Sequence, residues 1–364
     1  MQNTSKIQTL AYTVISIIGI GWLMVLGAPI ILPIIFALLF AIFIHPIEQK
    51  IEKYVGINII SIILSFIVFL IPFVIVASLF SIQLASIIDN LPSVTDNMKL
   101  GFERLMSKMN QKIPFLDLEK IYSQTTGKSV SYDGPLKILG KGIESTTGFL
   151  ASLGLTIIFT FFLLLYKTSF TNFIIYQFEK SARPDIKETL SKISLVIKSY
   201  IGGLGVVIIL LSIFNSIGLA IIGVDYAIFW GTLAGILAAV PYIGTIIGGM
   251  LPFIYCLATA DHNWQPIAVI VYYLIIQQVE GNLITPKIVG DRVDINPFFA
   301  ILSLVFFGSL WGVAGIFLAL PLVSIIKIVL SNFEESLPYS VLMSSNVSTK
   351  KGVFRRLANK SSSS

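Results

Sequence analysis

In QQVEGNLITPKIVGDRVDIN, residues 277 to 296, a chain otherwise poor in charge gathers Glu280, Lys287, Asp291, Arg292 and Asp294. At about 100° per residue, a helix through this stretch places Gln277, Gln278, Glu280, Gly281, Asn282 and Thr285 on one broad polar face, with Ile275, Ile276, Val279 and Leu283 opposite. Amides, a hydroxyl and one carboxylate can line a path for a polar solute, and the carboxylate can also load and release a proton. A charge at the centre of a bilayer costs about 2.5–3.5 kcal/mol, so Glu280 is expected to face protein or a wet cavity and not lipid. The structural alternative is a Glu280–Lys287 pair or a carboxylate satisfying a helix end. Pro286 ends the helix, and Lys287, Asp291, Arg292 and Asp294 are expected to pair with one another in the following loop.

Other reactive side chains are scattered. His45 and His262 stand alone near predicted span ends and do not make a metal site. Cys256 is the single cysteine and lies in an apolar run, as expected of a buried inert thiol. Gly127-Lys128-Ser129 has the end of a phosphate loop but neither its upstream Gly nor its strand, so nucleotide binding is discounted. The sequence contains no zinc-protease, nucleophile-elbow or paired-cysteine motif. The chain therefore reads as a protein that is not an enzyme and needs no cofactor, and any transport would be secondary or passive.

The elements that carry these residues follow from solvent. Only 12% of residues are charged, 55% are hydrophobic and mean hydropathy is +0.88, against about 25% charged in a soluble domain. Lipid is the surroundings such a surface fits. Uncharged runs at 7–44, 54–88, 145–166, 199–224, 226–260, 262–279 and 295–326 reach or approach the roughly 20 residues of a membrane span. The fold class is all-α, a polytopic transmembrane helical protein of about eight spans with broken helices in the C-terminal third.

Gly27-Ala28-Pro29 is expected to split the first run into two spans of a hairpin. His45, Glu48, Lys50, Glu52 and Lys53 then read as a cytoplasmic connection before a third span near 57–80. Residues 1–80 form the first three spans. Residues 81–147 are a soluble, extracytoplasmic insert whose Met98, Phe102, Leu105, Met109 and Ile113 make an amphipathic stripe. Residues 148–336 are the C-terminal transport core with five spans, and 337–364 a basic cytoplasmic tail. A helix is expected to start at Arg183-Pro184-Asp185 and to run into the fifth span through Gly202-Gly203-Leu204-Gly205, where backbones could approach closely. Runs 226–260 and 295–326 are too long for one straight crossing, and each is expected to cross once with interruptions; paired re-entrant turns are the alternative. WGTLAGILAAVP at 230–241 and WGVAGIFLALP at 311–321 share a pattern that an internal repeat or common span composition would explain.

Residues 167–199 hold six Lys/Arg against three acids, and Lys350, Lys351, Arg355, Arg356 and Lys360 fill the tail. By the positive-inside rule both are cytoplasmic, which accounts for the net charge of +6 without nucleic acid. The first span reads as an uncleaved anchor.

VPYIGTIIGGMLP at 240–252, QQVEGNLITPKIVGDRVDINPF at 277–298 and GSLWGVAGIFLALPLVSIIKIV at 308–329, in this order, resemble the C-terminal signature of the autoinducer-2 exporter (AI-2E) family of bacterial permeases. The resemblance implies an inner-membrane permease and a homo-oligomer, pentameric as reported for the family. Its members are credited with exporting autoinducer-2 or with exchanging sodium or lithium for protons, so the implied partner is a small polar solute or a monovalent cation. It also implies roles for Pro241, Tyr242, Gly244, Glu280, Asn282, Pro286 and Gly290. A reading of another class is a non-transporting membrane scaffold that binds partners through 81–147.

Overall fold

The computed structural model describes residues 6–112, 146–240, 243–260, 262, 264–284, 288, 294–333 and 335–345, and among them all regular structure is helical. The elements are α1 (Lys6–Leu26), α2 (Ala28–Val55), α3 (Asn58–Lys112), α4 (Thr146–Leu165), α5 (Lys167–Tyr176), α6 (Arg183–Ile222), α7 (Ala227–Leu237), α8 (Ile243–Thr259), α9 (Trp264–Val279), a π turn (Glu280–Ile284), α10 (Pro297–Leu330) and α11 (Leu337–Met343). By length and composition alone five helices, α10 among them, reach the size of a membrane span, and the α4–α5 pair, bent by 70°, is a broken span or a re-entrant loop.

Local chemistry sets several boundaries. Gly56, at φ 70°, ends α2 and returns its N–H to Glu52 O. Its lack of a Cβ makes that left-handed position accessible. Gly27 behaves otherwise than expected: at φ −78°, ψ −3° it is right-handed. The helical bonds Gly27 N–H to Leu23 O and Ile31 N–H to Gly27 O, both 2.8 Å, continue across it. The chain bends there through helical conformations and makes no glycine reversal. α6 starts at Arg183 with Asp185 in its first turn and runs unbroken for 40 residues. The glycines within it do not mark tight packing throughout, since a Cβ on Gly202 would come no nearer than 3.7 Å to Phe43 and one on Gly205 would meet open space.

The third span and the amphipathic stripe prove to be one element. α3 is 55 residues long, about 82 Å at 1.5 Å per residue. Met98, Phe102, Leu105 and Met109 lie on its far part, while Ile113, the loop 123–134 and the tail cations lie outside the described residues.

The chain divides into two compact units, residues 1–67, 148–202 and 289–364 in the first and 68–147 and 203–288 in the second. In the first unit, Leu39, Ile197 and Leu318 form one buried cluster and Phe307, Trp311 and Ala319 another. Glu48 is fully buried here, not part of a solvated connection, and its carboxylate receives Lys167 Nζ at 2.8 Å and lies 3.0 Å from His45 Nδ1. In the second unit, Leu219, Phe229, Tyr255, Cys256 and Val269 are buried together, so the lone thiol is a core residue.

Both overlong runs turn back on themselves, and this corrects the expectation of single interrupted crossings. In α10, Gly312 takes φ 60°, ψ −138°, a conformation that breaks the helix. A Cβ on Gly315 would lie 1.8 Å from Phe307 O, and one on Gly308 would lie 2.9 Å from Ile316. Residues eight apart in a straight helix are about 12 Å apart, so the arms 297–311 and 313–330 pack antiparallel. In the second unit, a Cβ on Gly244 would lie 1.6 Å from Leu237 O and one on Gly248 2.9 Å from Ala234 Cα, which makes α7 and α8 the arms of a second hairpin. Trp230 sits inside an arm and Trp311 at a turn, so the two WG segments hold different structural places. The sequence likeness between them is one of span composition.

Candidate transport site

The second hairpin and α9 line a narrow crevice of about 10 Å³, room for a single water molecule. Leu211 and Asn215 of α6, Ala234 in α7, Ala238 just after it, Thr245 of α8, and Tyr273, Ile276, Gln277 and Glu280 line it. Tyr273, Gln277 and Glu280 follow at i, i+4 and i+7, so one stripe of α9 presents a phenol, an amide and a carboxylate to the same space. Glu280 opens the π turn, the kind of insertion that re-aims side chains at functional sites.

Close packing of small residues makes the walls. A Cβ on Gly231 would lie 2.3 Å from Ser216 N, and one on Gly235 2.2 Å from Ser212 Oγ, so α7 lies directly on α6. A Cβ on Gly249 would stand 2.9 Å from the ring of Tyr273, and one on Gly218 2.3 Å from that of Tyr272. Tyr272 thereby reaches α6, where its hydroxyl donates to Phe214 O at 2.8 Å and to Asn215 Oδ1 at 3.4 Å. Asn215, 4% exposed, is held against the crevice by this bond. Gln265 anchors the base of the hairpin: its Nε2 donates to Ile222 O at 3.1 Å and Gly223 O at 3.2 Å.

Of the residues singled out in the sequence, Glu280 and Gln277 line the crevice. Gly244 serves the hairpin turn, where any side chain would strike Leu237. Gln278 and Asn282 are exposed and bond each other, with Asn282 Nδ2 3.0 Å from Gln278 Oε1. Gly281 is exposed and not among the lining residues. The broad polar face is therefore split, and one part of it faces the crevice. Pro241, Tyr242, Thr285, Pro286 and Gly290 lie outside the described residues, as do Lys287, Asp291 and Arg292. The sequence pattern singles out none of Asn215, Thr245 and Tyr273, which the fold brings to the crevice. The i, i+4, i+7 spacing of Tyr273, Gln277 and Glu280 was the available signal, hidden because a tyrosine counts as apolar in a span.

Among the described residues Asp294 has partners beyond its own loop, and its expected pairing with Lys287 and Arg292 falls outside them. Its partners are Lys327 at 2.6 Å, the backbone N–H of Ser345 at 3.0 Å, and the Ser345 hydroxyl. Partial burial opposes its charge, but these bonds prevail and hold the carboxyl at about 2. No group of three or more potential metal ligands exists among the described residues.

A multi-pass helical membrane protein in which a hairpin and a polar-striped span enclose a carboxylate-bearing crevice has the makings of a permease. The model of the AI-2E family transporters matches residues 10–335, and the chain belongs to that family. It is 29% identical over 206 residues to a protein of Borreliella burgdorferi offered by its name as a transport protein, covering 56% of this chain and 57% of that one. It is 25% identical over 297 residues to YueF of Bacillus subtilis, named likewise, with 78% of each chain covered. It is 33% identical over 126 residues to the AI-2 transport protein TqsA of Escherichia coli K12, covering 35% of this chain and 36% of TqsA. The aligned part is thus about half the length of the Borreliella relative and about a third of TqsA.

Proposed function

We propose that this permease carries a small polar solute through the crevice of its second unit, with autoinducer-2 as the first cargo to test. The observation that carries the reading is Glu280, an ionisable residue inside a span that faces a crevice also lined by Asn215, Thr245, Tyr273 and Gln277. A carboxylate so placed is expensive toward lipid and useful toward a polar path. No Lys, Arg or His is among the described residues that line the crevice, and among these Glu280 would repel anionic cargo. The name of TqsA supports the choice of autoinducer-2. The basic content of 167–199 and of the tail supports an inner-membrane location with both termini cytoplasmic, and the family likeness supports a homo-oligomer, pentameric in form.

The test is flux in liposomes containing the purified full chain, with a panel of autoinducer-2, neutral polyols and monovalent cations. Wild type should move one or more of the neutral solutes, and Glu280→Gln at unchanged protein level should slow that flux several-fold. Wild-type flux in Glu280→Gln would remove the crevice from the path.

A further inference from the structure

We propose that Tyr273 is the inner cargo contact of this crevice and the residue by which it selects hydroxylated, uncharged solutes; the proposal rests on the transport reading above. Four polar side-chain atoms are buried without a hydrogen-bond partner among the described residues: Asn58 Oδ1, Gln83 Oε1, Trp230 Nε1 and the Tyr273 hydroxyl. Of their residues, only Tyr273 lines the crevice that holds Glu280.

The neighbouring tyrosine shows what an ordinary structural role looks like. Tyr272 commits its hydroxyl to Phe214 O at 2.8 Å and fastens α9 to α6. Tyr273 fills its place with the ring alone, packed against the bare backbone of Gly249. A phenylalanine would supply the same ring contacts and avoid the penalty of about 1–3 kcal/mol for burying an unpaired polar group. A buried hydroxyl that the fold does not use, on the stripe that carries Gln277 and Glu280, points to a partner that comes from outside the protein.

The chemistry of that partner follows from the walls. Asn215 and Gln277 carry carboxamides, Thr245 and Tyr273 hydroxyls, and Glu280 a carboxylate, with no cationic side chain among the described lining residues. A solute with several hydroxyls matches this set, because each of its hydroxyls both donates, to Glu280 and the amide oxygens, and accepts, from the Tyr273 O–H and the amide N–H groups. An anion would meet Glu280 without a countercharge. Removing one hydroxyl from such a solute would leave the buried phenol unpaired, and polar sites discriminate strongly on that basis.

The test compares xylitol with its 3-deoxy analogue in liposomes carrying wild type, Tyr273→Phe or Glu280→Gln, each as the full chain. Wild type should favour xylitol by about tenfold in KM, the worth of one good hydrogen bond. Tyr273→Phe should raise the KM for xylitol to near that of the analogue, so that the tenfold preference falls towards one. Its thermal midpoint should stay level or rise, because a buried unpaired hydroxyl has been removed. Preserved discrimination in Tyr273→Phe overturns the proposal, and so does a fall in thermal midpoint, which would show that the hydroxyl holds the fold together. Wild type that moves other panel solutes but not xylitol overturns the proposed cargo class and leaves the transport reading standing. Wild type that moves nothing overturns the transport reading itself.

Discussion

Lys327 Nζ and Asp294 Oδ2 are 2.6 Å apart, although 33 residues separate them and most of that stretch is the apolar helix α10. Were α10 straight, about 50 Å would lie between its ends. The ion pair is possible because the helix folds back at Gly312, and it closes the base of the hairpin as Trp311 holds the tip, through its Nε1 bond to Met24 O at 3.0 Å. The α7–α8 hairpin is closed at its base in the same manner, by Gln265 on the carbonyls of Ile222 and Gly223.

A hairpin returns its two ends to one side of the membrane. Single cysteines replacing Phe298 and Ser331, in a Cys256→Ala background, should therefore react alike with an impermeant thiol reagent in intact cells. Opposite labelling would mean that α10 crosses the membrane once.

Gly312 should tolerate no side chain. Its φ of 60° lies where L residues are strained even though a Cβ there would meet open space, so Gly312→Ala should destabilise the protein by about 1–3 kcal/mol. Gly205→Ala is the control: that position is helical with equal room, and alanine there should be neutral or stabilising by roughly 0.5–1 kcal/mol. Thermal melts of the two variants in one detergent check the contrast, and equal midpoints would argue against strain at the turn.

Lys167 neutralises a carboxylate that has no access to solvent, since the Glu48 side chain is 0% exposed. Lys167→Met should cost up to about 3 kcal/mol by removing the main countercharge and leaving His45 as the remaining partner of that carboxylate. Adding Glu48→Gln should recover most of the loss, which a double-mutant cycle of unfolding midpoints measures. If the double variant is no better than Lys167→Met, Lys167 acts through packing and not charge.

The base of the α10 hairpin should be acid-sensitive. Asp294 titrates at about 2, below the ordinary 3.8 of a free aspartate. A depressed folded-state value means that its contribution is complete above pH 4 and is lost as pH falls from about 4 to about 2. The Asp294 side chain is 47% exposed, so solvent screening limits the effect to about 1 kcal/mol or less. Asp294→Asn should flatten the dependence of the unfolding midpoint across that window, and an unchanged slope would show that other carboxylates govern it.

Much of this protein was legible in the order of its residues. Long uncharged runs cannot be satisfied by water, so span composition, helical class and the start of α6 at Arg183-Pro184-Asp185 followed from local chemistry. The in-order motifs around Pro241, Glu280 and Gly312 were enough to indicate the family. That Glu280 and Gln277 face protein and not lipid could be expected, because a carboxylate in a span has few other places to go.

Other features depend on residues far apart in sequence. The sequence marks Gly312 and the 238–242 segment as interruptions, but an interrupted crossing and a hairpin have the same hydropathy. Only the packing of Gly315 on Phe307 and of Gly248 on Ala234 distinguishes them. Glu48 reads as part of a solvated connection and Asp294 as a partner of its loop neighbours, because Lys167 and Lys327 lie 119 and 33 residues away. Asn215, Thr245 and Tyr273 became parts of one site when glycine-lined helices brought α6, the hairpin and α9 together. Periodicity decides which face of a helix is polar; which element meets that face is a property of the folded chain.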